Sequence, residues 1–288
     1  MKLTGSVHTH TTFCDGKNTV AEMAQAAYDA GLATIGFSGH SYVPAERFGI
    51  PPEQLPAYQR EVKRVAAAWQ GRLEVLLGLE IDDEAPPLDL APYDYIIGSA
   101  HAVRAPNGSR WTVDEAPEVT ARCIAEGFGG DALAFVKAYY EQFVPFLLRL
   151  RPTFVGHFDT KTNDGQKLFT VGHFDLIRKF NGAGQLFDET SPAYLAIVRA
   201  ALREVLAQGM VLEVNTGAIS RGWRTDPYPA DPLLQDVLAA GGHVIVTADA
   251  HSCEGLTCAF DETLARLRAL GFREVQQLTA AGFVPCAI

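Results

Sequence analysis

The stretch LLGLEID, residues 76–82, continues an apolar run that begins at Leu73 and then meets Glu80. Such a run reads as a buried strand, and a carboxylate at its end is costly to bury unless a cation or a donor compensates it. Short apolar runs of this kind recur along the chain at Leu3–Val7, Ala33–Phe37, Tyr93–Gly98, Met210–Val214 and His243–Thr247, with a further one at Thr153–Gly156 or at Phe169–Gly172. Helix-period segments separate them, and that alternation is the pattern of repeated β-then-α units around a mostly parallel sheet. Thr19 and Gly31 are placed to cap and end one helix, Ser191 and Gly209 another; Pro52–Ala68, Asp131–Leu150, Pro232–Ala240 and Leu256–Leu270 supply the rest. Residues 103–118 and 216–231, rich in Gly, Pro and Asp, read as long loops following strands, where barrel enzymes build their sites. Nothing resembles an interdomain linker, so residues 1–288 are read as a single domain.

With 288 residues, 48% hydrophobic and 20% charged, the chain is long enough for a sizeable core and is not of disordered composition. A formal net charge of −10 opposes a broad footprint on nucleic acid or on anionic membranes, which demand a basic surface. The N-terminal MKLTGSVHTH lacks the apolar core of a signal peptide, and no apolar run reaches the ~18 residues needed to span a bilayer. The five cysteines, Cys14, Cys123, Cys253, Cys258 and Cys286, form no C-x-x-C pair and fit reduced thiols. The expectation is a cytoplasmic protein without nucleic-acid polymer or membrane partners; its oligomeric state is not legible.

Of eight histidines, His8, His10, His40, His101, His157, His173 and His251 fall at or just after the C-terminal end of an expected strand, and only His243 falls at the start of one. In a parallel sheet those ends converge on one face, which would bring the seven together. Imidazole and carboxylate are the ligands of zinc, iron and manganese, so such a cluster points to metal. Strand alternation puts His8 and His10 on one side, with Asp15 on the following loop and Gly16 to allow its turn; the same spacing pairs Asp249 with His251.

VHTHTTFCDG, GFSGHS, GLEID, GSAH, VGHFD, EVNTG and TADAH occur in the order found in the PHP (polymerase and histidinol phosphatase) family, which the chain resembles over nearly its whole length. Within that family, GFSGHSYVP, GHFDLIRKFN and EVNTGAISRG are most similar to the histidinol-phosphate phosphatases of histidine biosynthesis. The resemblance implies an α/β fold, a distorted seven-stranded (β/α) barrel with its metal site at the C-terminal face of the strands. It implies two to three divalent ions (Zn, Fe or Mn): one on His8, His10, Glu80 and Asp249, a second on Glu80, His101 and the histidine of VGHFD, a third on Asp15, His40 and His251. The implied reaction is hydrolysis of a small phosphomonoester, most closely L-histidinol phosphate, by a metal-bridging hydroxide held between the ions of Glu80 and Asp249. Arg221 is the first candidate to bind phosphate, Arg178 the second, with Asn215 as a neighbouring donor. A related phosphoesterase acting on nucleotides, and a metal-binding module without turnover, are the competing readings.

VGHFD is spelled twice, at Val155–Asp159 and Val171–Asp175, although the site needs one such histidine. The first copy follows the preceding helix by the short connection RP; the second keeps the downstream LIRKFN, including Arg178. The short connection favours His157 over His173 as the ligand.

Overall fold

The computed structural model describes residues 3–150, 168–182 and 184–288. Among them, parallel strands β1 (Gly5–Ser6), β2 (Thr34–Phe37), β3 (Glu74–Asp82) and β4 (Tyr95–Ser99) are followed by a small antiparallel pair, β5 (Ala102–Arg104) and β6 (Arg110–Thr112). The main sheet then continues with β7 (Leu168–Val171), β8 (Val211–Asn215) and β9 (Val244–Thr247) and ends in the hairpin β10 (Glu274–Thr279) and β11 (Gly282–Ala287). Its order is β1-β2-β3-β4-β7-β8-β9-β10-β11, parallel throughout except for the last pair.

The seven expected strands are present, but the main sheet has nine among the described residues, which corrects the expected count. The addition is the C-terminal hairpin, whose β10 joins β9 through the pair Gln276–Ile245. Thr4 Oγ1 donates to Gln277 Oε1 across 2.7 Å, so β10 also reaches the segment leading into β1. At the other end of the strands the sheet curls until Thr9 bridges Ala250 in parallel, with His10 N donating to Ala250 O at 2.8 Å and Ala250 N to His8 O at 3.0 Å. The β5–β6 pair falls in the segment expected to be loop.

Alternation sorts the side chains. On β3, Leu77, Leu79 and Ile81 join the large core under the helices, whereas Leu76 joins a second cluster with Val7, Tyr95, Ile97, Val211, Ile245 and Leu278 inside the curl. Tyr95 fills the space opposite Gly36 and Gly78, where an added Cβ would lie 2.5 Å and 2.2 Å from its ring or hydroxyl, and its hydroxyl donates to Val7 O at 2.5 Å. Continuing two residues at a time from Leu76 and Gly78 leads to Glu80 and Asp82, both buried.

The outer layer follows its caps. Helix α1 (Val20–Asp29) begins in a capping box of Thr19 and Glu22 and is followed by Gly31 at φ +77°. Leu55–Trp69 forms α2, Pro117–Arg122 α3, and Ala132–Leu150 α4. In α5 (Pro192–Leu206), Ser191 Oγ accepts from Tyr194 N at 3.2 Å. The remaining helices are α6 (Gly217–Ser220), α7 (Asp231–Ala239) and α8 (Phe260–Leu270). None of the described helices is long and apolar enough to cross a membrane.

Candidate metal centre

The strand between β4 and β8 is Leu168–Val171, which belongs to the second VGHFD copy and corrects the preference for the first. Downstream of it, Leu176, Ile177 and Arg178 are buried; the first copy offers Thr160, Lys161 and Thr162 at the matching positions, which lack the apolar surface and the guanidinium used there. His157 lies outside the described residues. His173 stands with Nε2 3.0 Å from Glu80 Oε1, as close to the centre as its sequence position after β7 requires.

Glu80 divides its two oxygens. Oε2 is 3.2 Å from His8 Nε2, 3.5 Å from His10 Nε2 and 2.9 Å from His40 Nδ1; Oε1 is 3.6 Å from His101 Nε2 and 3.0 Å from His173 Nε2. Asp249 Oδ1 lies 3.7 Å from His8 Nε2, 3.2 Å from His10 Nε2 and 3.5 Å from His251 Nδ1. Asp15 Oδ2 lies 3.1 Å from His251 Nε2 and 3.7 Å from His40 Nε2. Ligands about 2.0–2.2 Å from one tetrahedral ion stand roughly 3.3–3.6 Å from each other, so the longer of these separations suit a shared cation, while His8–Glu80, His173–Glu80 and His251–Asp15 are close enough to hydrogen-bond directly. Three overlapping groups have ligand atoms within 4.8 Å of one another: His10, Asp15, His40 and His251; His8, His10 and Asp249; His40, Glu80 and His101. The buried Nε2 of His10 has no hydrogen-bond partner, a lone pair fitted to an ion.

The charges agree with that fit. Burial opposes ionisation of Glu80, but His40, His8 and His173 hold its carboxyl well below the usual range; burial likewise opposes Asp249, which Arg221 and His8 hold low. Burial, then the neighbouring His251 and His40, push His10 down to about 3 and keep it neutral. Burial also lowers His8 and His101, but carboxylates reverse the sign: Glu213 and Glu80 raise the first well above its ordinary value, and Asp82 and Glu80 bring the second to about 10. Without ions, the raised His8 and His101 and the guanidinium of Arg221 supply the positive charge beside these carboxylates.

Asp82 and Glu213 were missed in the sequence. His101 Nδ1 lies 2.8 Å from Asp82 Oδ2, and His8 Nδ1 contacts Glu213 Oε1, leaving each Nε2 facing Glu80. Glu213 also accepts from His173 N at 2.7 Å and Thr247 Oγ1 at 2.6 Å. Such carboxylate partners fix the tautomer and the ring plane of a ligating histidine. Their sequence signal is an acid at an inward position of an apolar strand, the same signal that marked Glu80. Two backbone details support the cluster: Asp249 holds φ +48°, a conformation rare outside glycine, and a Cβ on Gly16 would meet Thr11 N at 2.4 Å. Close approach to the His10–Thr11 backbone, rather than turn conformation, therefore demands that glycine. His243 lies at the opposite end of the strands beside Gln276.

A cavity of about 620 Å3 opens on the centre, lined by Asp15, His40, His101, His173, Asp249 and His251 and by Phe48, Lys179 and Arg221, with Glu46, Asp114, Glu115 and Glu254 also on its wall. Arg221 Nη2 donates to Asp249 Oδ2 at 2.9 Å. The other two expected phosphate contacts are spent elsewhere: Arg178 is buried among carboxylates away from the cavity, and Asn215 donates to Glu213 Oε2 at 2.9 Å and accepts from Gly217 N at 2.7 Å. Lys179, the neighbour of Arg178, takes its place on the wall, its ammonium donating to Asp114 O at 2.8 Å.

The family profile described as PHP domain matches residues 6–217 of this chain. A Deinococcus radiodurans protein named "Probable histidinol-phosphatase" is 32% identical over 287 residues, covering 93% of this chain and 94% of the relative. Among solved structures, the hisK protein of Listeria monocytogenes superposes with a TM-score of 0.71 at 17% identity, covering 90% of this chain and 99% of that one. The histidinol phosphate phosphatase of Lactococcus lactis, solved with zinc, L-histidinol and phosphate, gives 0.58 at 18% identity and covers 98% of both.

Proposed function

This chain belongs to the PHP family, and on that premise we propose that it is a metal-dependent phosphatase that hydrolyses L-histidinol phosphate to L-histidinol and phosphate. The observation that carries the reading is the division of Glu80, one oxygen toward His8 and His10 and the other toward His101 and His173. In this reading His8, His10, Glu80 and Asp249 hold one ion, Glu80, His101 and His173 a second, and Asp15, His40 and His251 a third. His173, from the second VGHFD copy, replaces His157 in that set. Zinc suits the donors, as do iron and manganese; the Lactococcus lactis relative was solved with zinc. When bound, divalent ions supply Lewis-acid charge and a water deprotonated near neutral pH.

The chain's own side chains do the rest. Arg221 and Lys179 place positive charge on the cavity wall for the phosphoryl oxygens, where a guanidinium fork and an ammonium both serve. Glu213 and Asp82 hold His8 and His101 in orientation. Glu46 and Asp114 are ion-paired with Arg110 and Lys179, whereas the carboxylates of Glu115 and Glu254 on the same wall suit a leaving group that carries an ammonium, which favours an amino alcohol phosphate over a nucleotide. One sheet draws strands from Gly5 to Ala287, which supports one catalytic domain, and five unpaired cysteines agree with a reducing cytoplasm. Phosphate release from histidinol phosphate and from nucleoside monophosphates, with zinc or manganese added, tests the reading. Metal-dependent turnover preferring histidinol phosphate is expected; equal or faster release from nucleotides overturns the substrate, and no turnover on any phosphomonoester overturns catalysis.

A further inference from the structure

Behind the cavity wall lies an ion cluster that the metal centre does not use. Arg178 is 2% exposed and faces three carboxylates: Asp175 Oδ2 at 3.1 Å, Glu189 Oε2 at 2.6 Å and Asp226 Oδ2 at 2.7 Å. Arg224 closes the cluster, with Nε 3.0 Å from Asp226 Oδ1 and Nη1 both 3.0 Å from Glu189 Oε1 and donating to the Arg178 carbonyl at 3.1 Å. Three stretches of chain meet here: the loop after β7, the residues before α5 and the loop after β8.

Two of those stretches lead straight to the cavity. Lys179 follows Arg178, and Arg221 stands at the end of α6, ahead of Arg224 and Asp226 in the same excursion. That excursion returns to β8 where Asn215 N donates to Tyr228 O at 2.8 Å and Tyr228 N to Asn215 O at 3.0 Å. Asp175 Oδ2 accepts from Ala230 N at 3.0 Å, and Trp223 sits edge-on to Phe180 with ring centroids 4.8 Å apart. A guanidinium has five donors in a fixed fork and keeps its charge when buried, so Arg178 meets the three carboxylates from three separate nitrogens, Nη1, Nε and Nη2, a span that the single nitrogen of an ammonium does not cover.

We propose that Arg178, through Asp226, is a positioning residue: it locks the loop after β8 to the loop after β7 and so sets Arg221 opposite Lys179 for phosphate. The proposal rests on the phosphatase reading of the cavity. It is tested with the full chain by calorimetric binding of inorganic phosphate to the zinc-loaded protein and by amide exchange of residues 217–230 in the metal-free protein. Arg178→Lys and Asp226→Asn are compared, each with Arg221 intact and with Arg221→Ala; Asp226→Asn is isosteric and leaves Arg178 in place. The expected result is a phosphate affinity weakened about tenfold by either change when Arg221 is present and less than about twofold when it is absent. Exchange at 217–230 rises, and exchange at 74–82 does not. Equal weakening in both backgrounds overturns the positioning role, as does faster exchange with unchanged phosphate affinity, which marks a purely structural cluster. Wild-type turnover of histidinol phosphate is measured alongside: if it is absent, the phosphatase reading fails; if it is present while the variants behave additively, only the positioning role fails.

Discussion

A carboxylate offers two oxygens, and at the residue scale the proposed chemistry rests on how Glu80 shares them. His8, His10 and Glu80 were legible as candidate ligands because alternation and a strand-end acid are local signals. His173 was not separable from His157 by such signals, since the two copies are spelled alike; only pairing with β4 and β8 distinguishes them. His173→Ala is expected to lose bound zinc and turnover, and His157→Ala to retain both, read by metal analysis and phosphate release; the opposite pattern would return the role to the first copy. Glu213 was not legible, because an acid inside a strand does not announce which imidazole it will face. Glu213→Gln keeps the shape and loses the acceptor charge at His8 Nδ1, so metal affinity or kcat/KM should fall about 10- to 100-fold. A zinc titration with unchanged affinity and unchanged kinetics would remove Glu213 from the centre.

At the scale of elements, the parallel strands were readable from their apolar runs, and α1 and α5 from their caps. The hairpin β10–β11 was missed because its strands are mixed in polarity: Val275 and Leu278 are buried while Glu274 and Pro285 are exposed. The turn Leu176–Arg178 explains why Lys179 rather than Arg178 joins Arg221 on the cavity wall, since a tight helical turn sends successive side chains in different directions. Inside the curl, Tyr95 occupies the room left by Gly78. Gly78→Ala should destabilise the fold by ~1–3 kcal/mol through overpacking against that ring. Urea unfolding measures it, and Tyr95→Phe, which removes the hydroxyl but keeps the ring atoms that the added Cβ would meet, should not rescue the loss.

For the whole molecule, metal and pH act on stability separately. Ions bound by the native centre and not by the unfolded chain add about 2.7 kcal/mol at a hundredfold excess over Kd, so chelation should lower Tm by roughly 5–10 °C and zinc should restore it. An unchanged Tm on chelation would speak against bound ions. In the metal-free protein, burial raises Asp226, but Arg178 and Arg224 outweigh it and hold its carboxyl below the ordinary value. Its folded pKa is therefore the lower one, and its stabilising contribution is present above about pH 4 and lost as the pH falls through the folded value. Asp226→Asn should be less stable than wild type at pH 7, with the gap narrowing by pH 3 in urea midpoints; a constant gap would contradict the shift. By itself the sequence determined the class of fold, the face on which the histidines gather and most of the side chains that cluster around Glu80, because those follow from period-two alternation and from what an apolar strand can end in. Which VGHFD copy enters the sheet, which of Arg178 and Lys179 faces the cavity and which carboxylates contact the imidazoles were decided only in the tertiary structure, because each depends on a partner brought from a distant part of the chain.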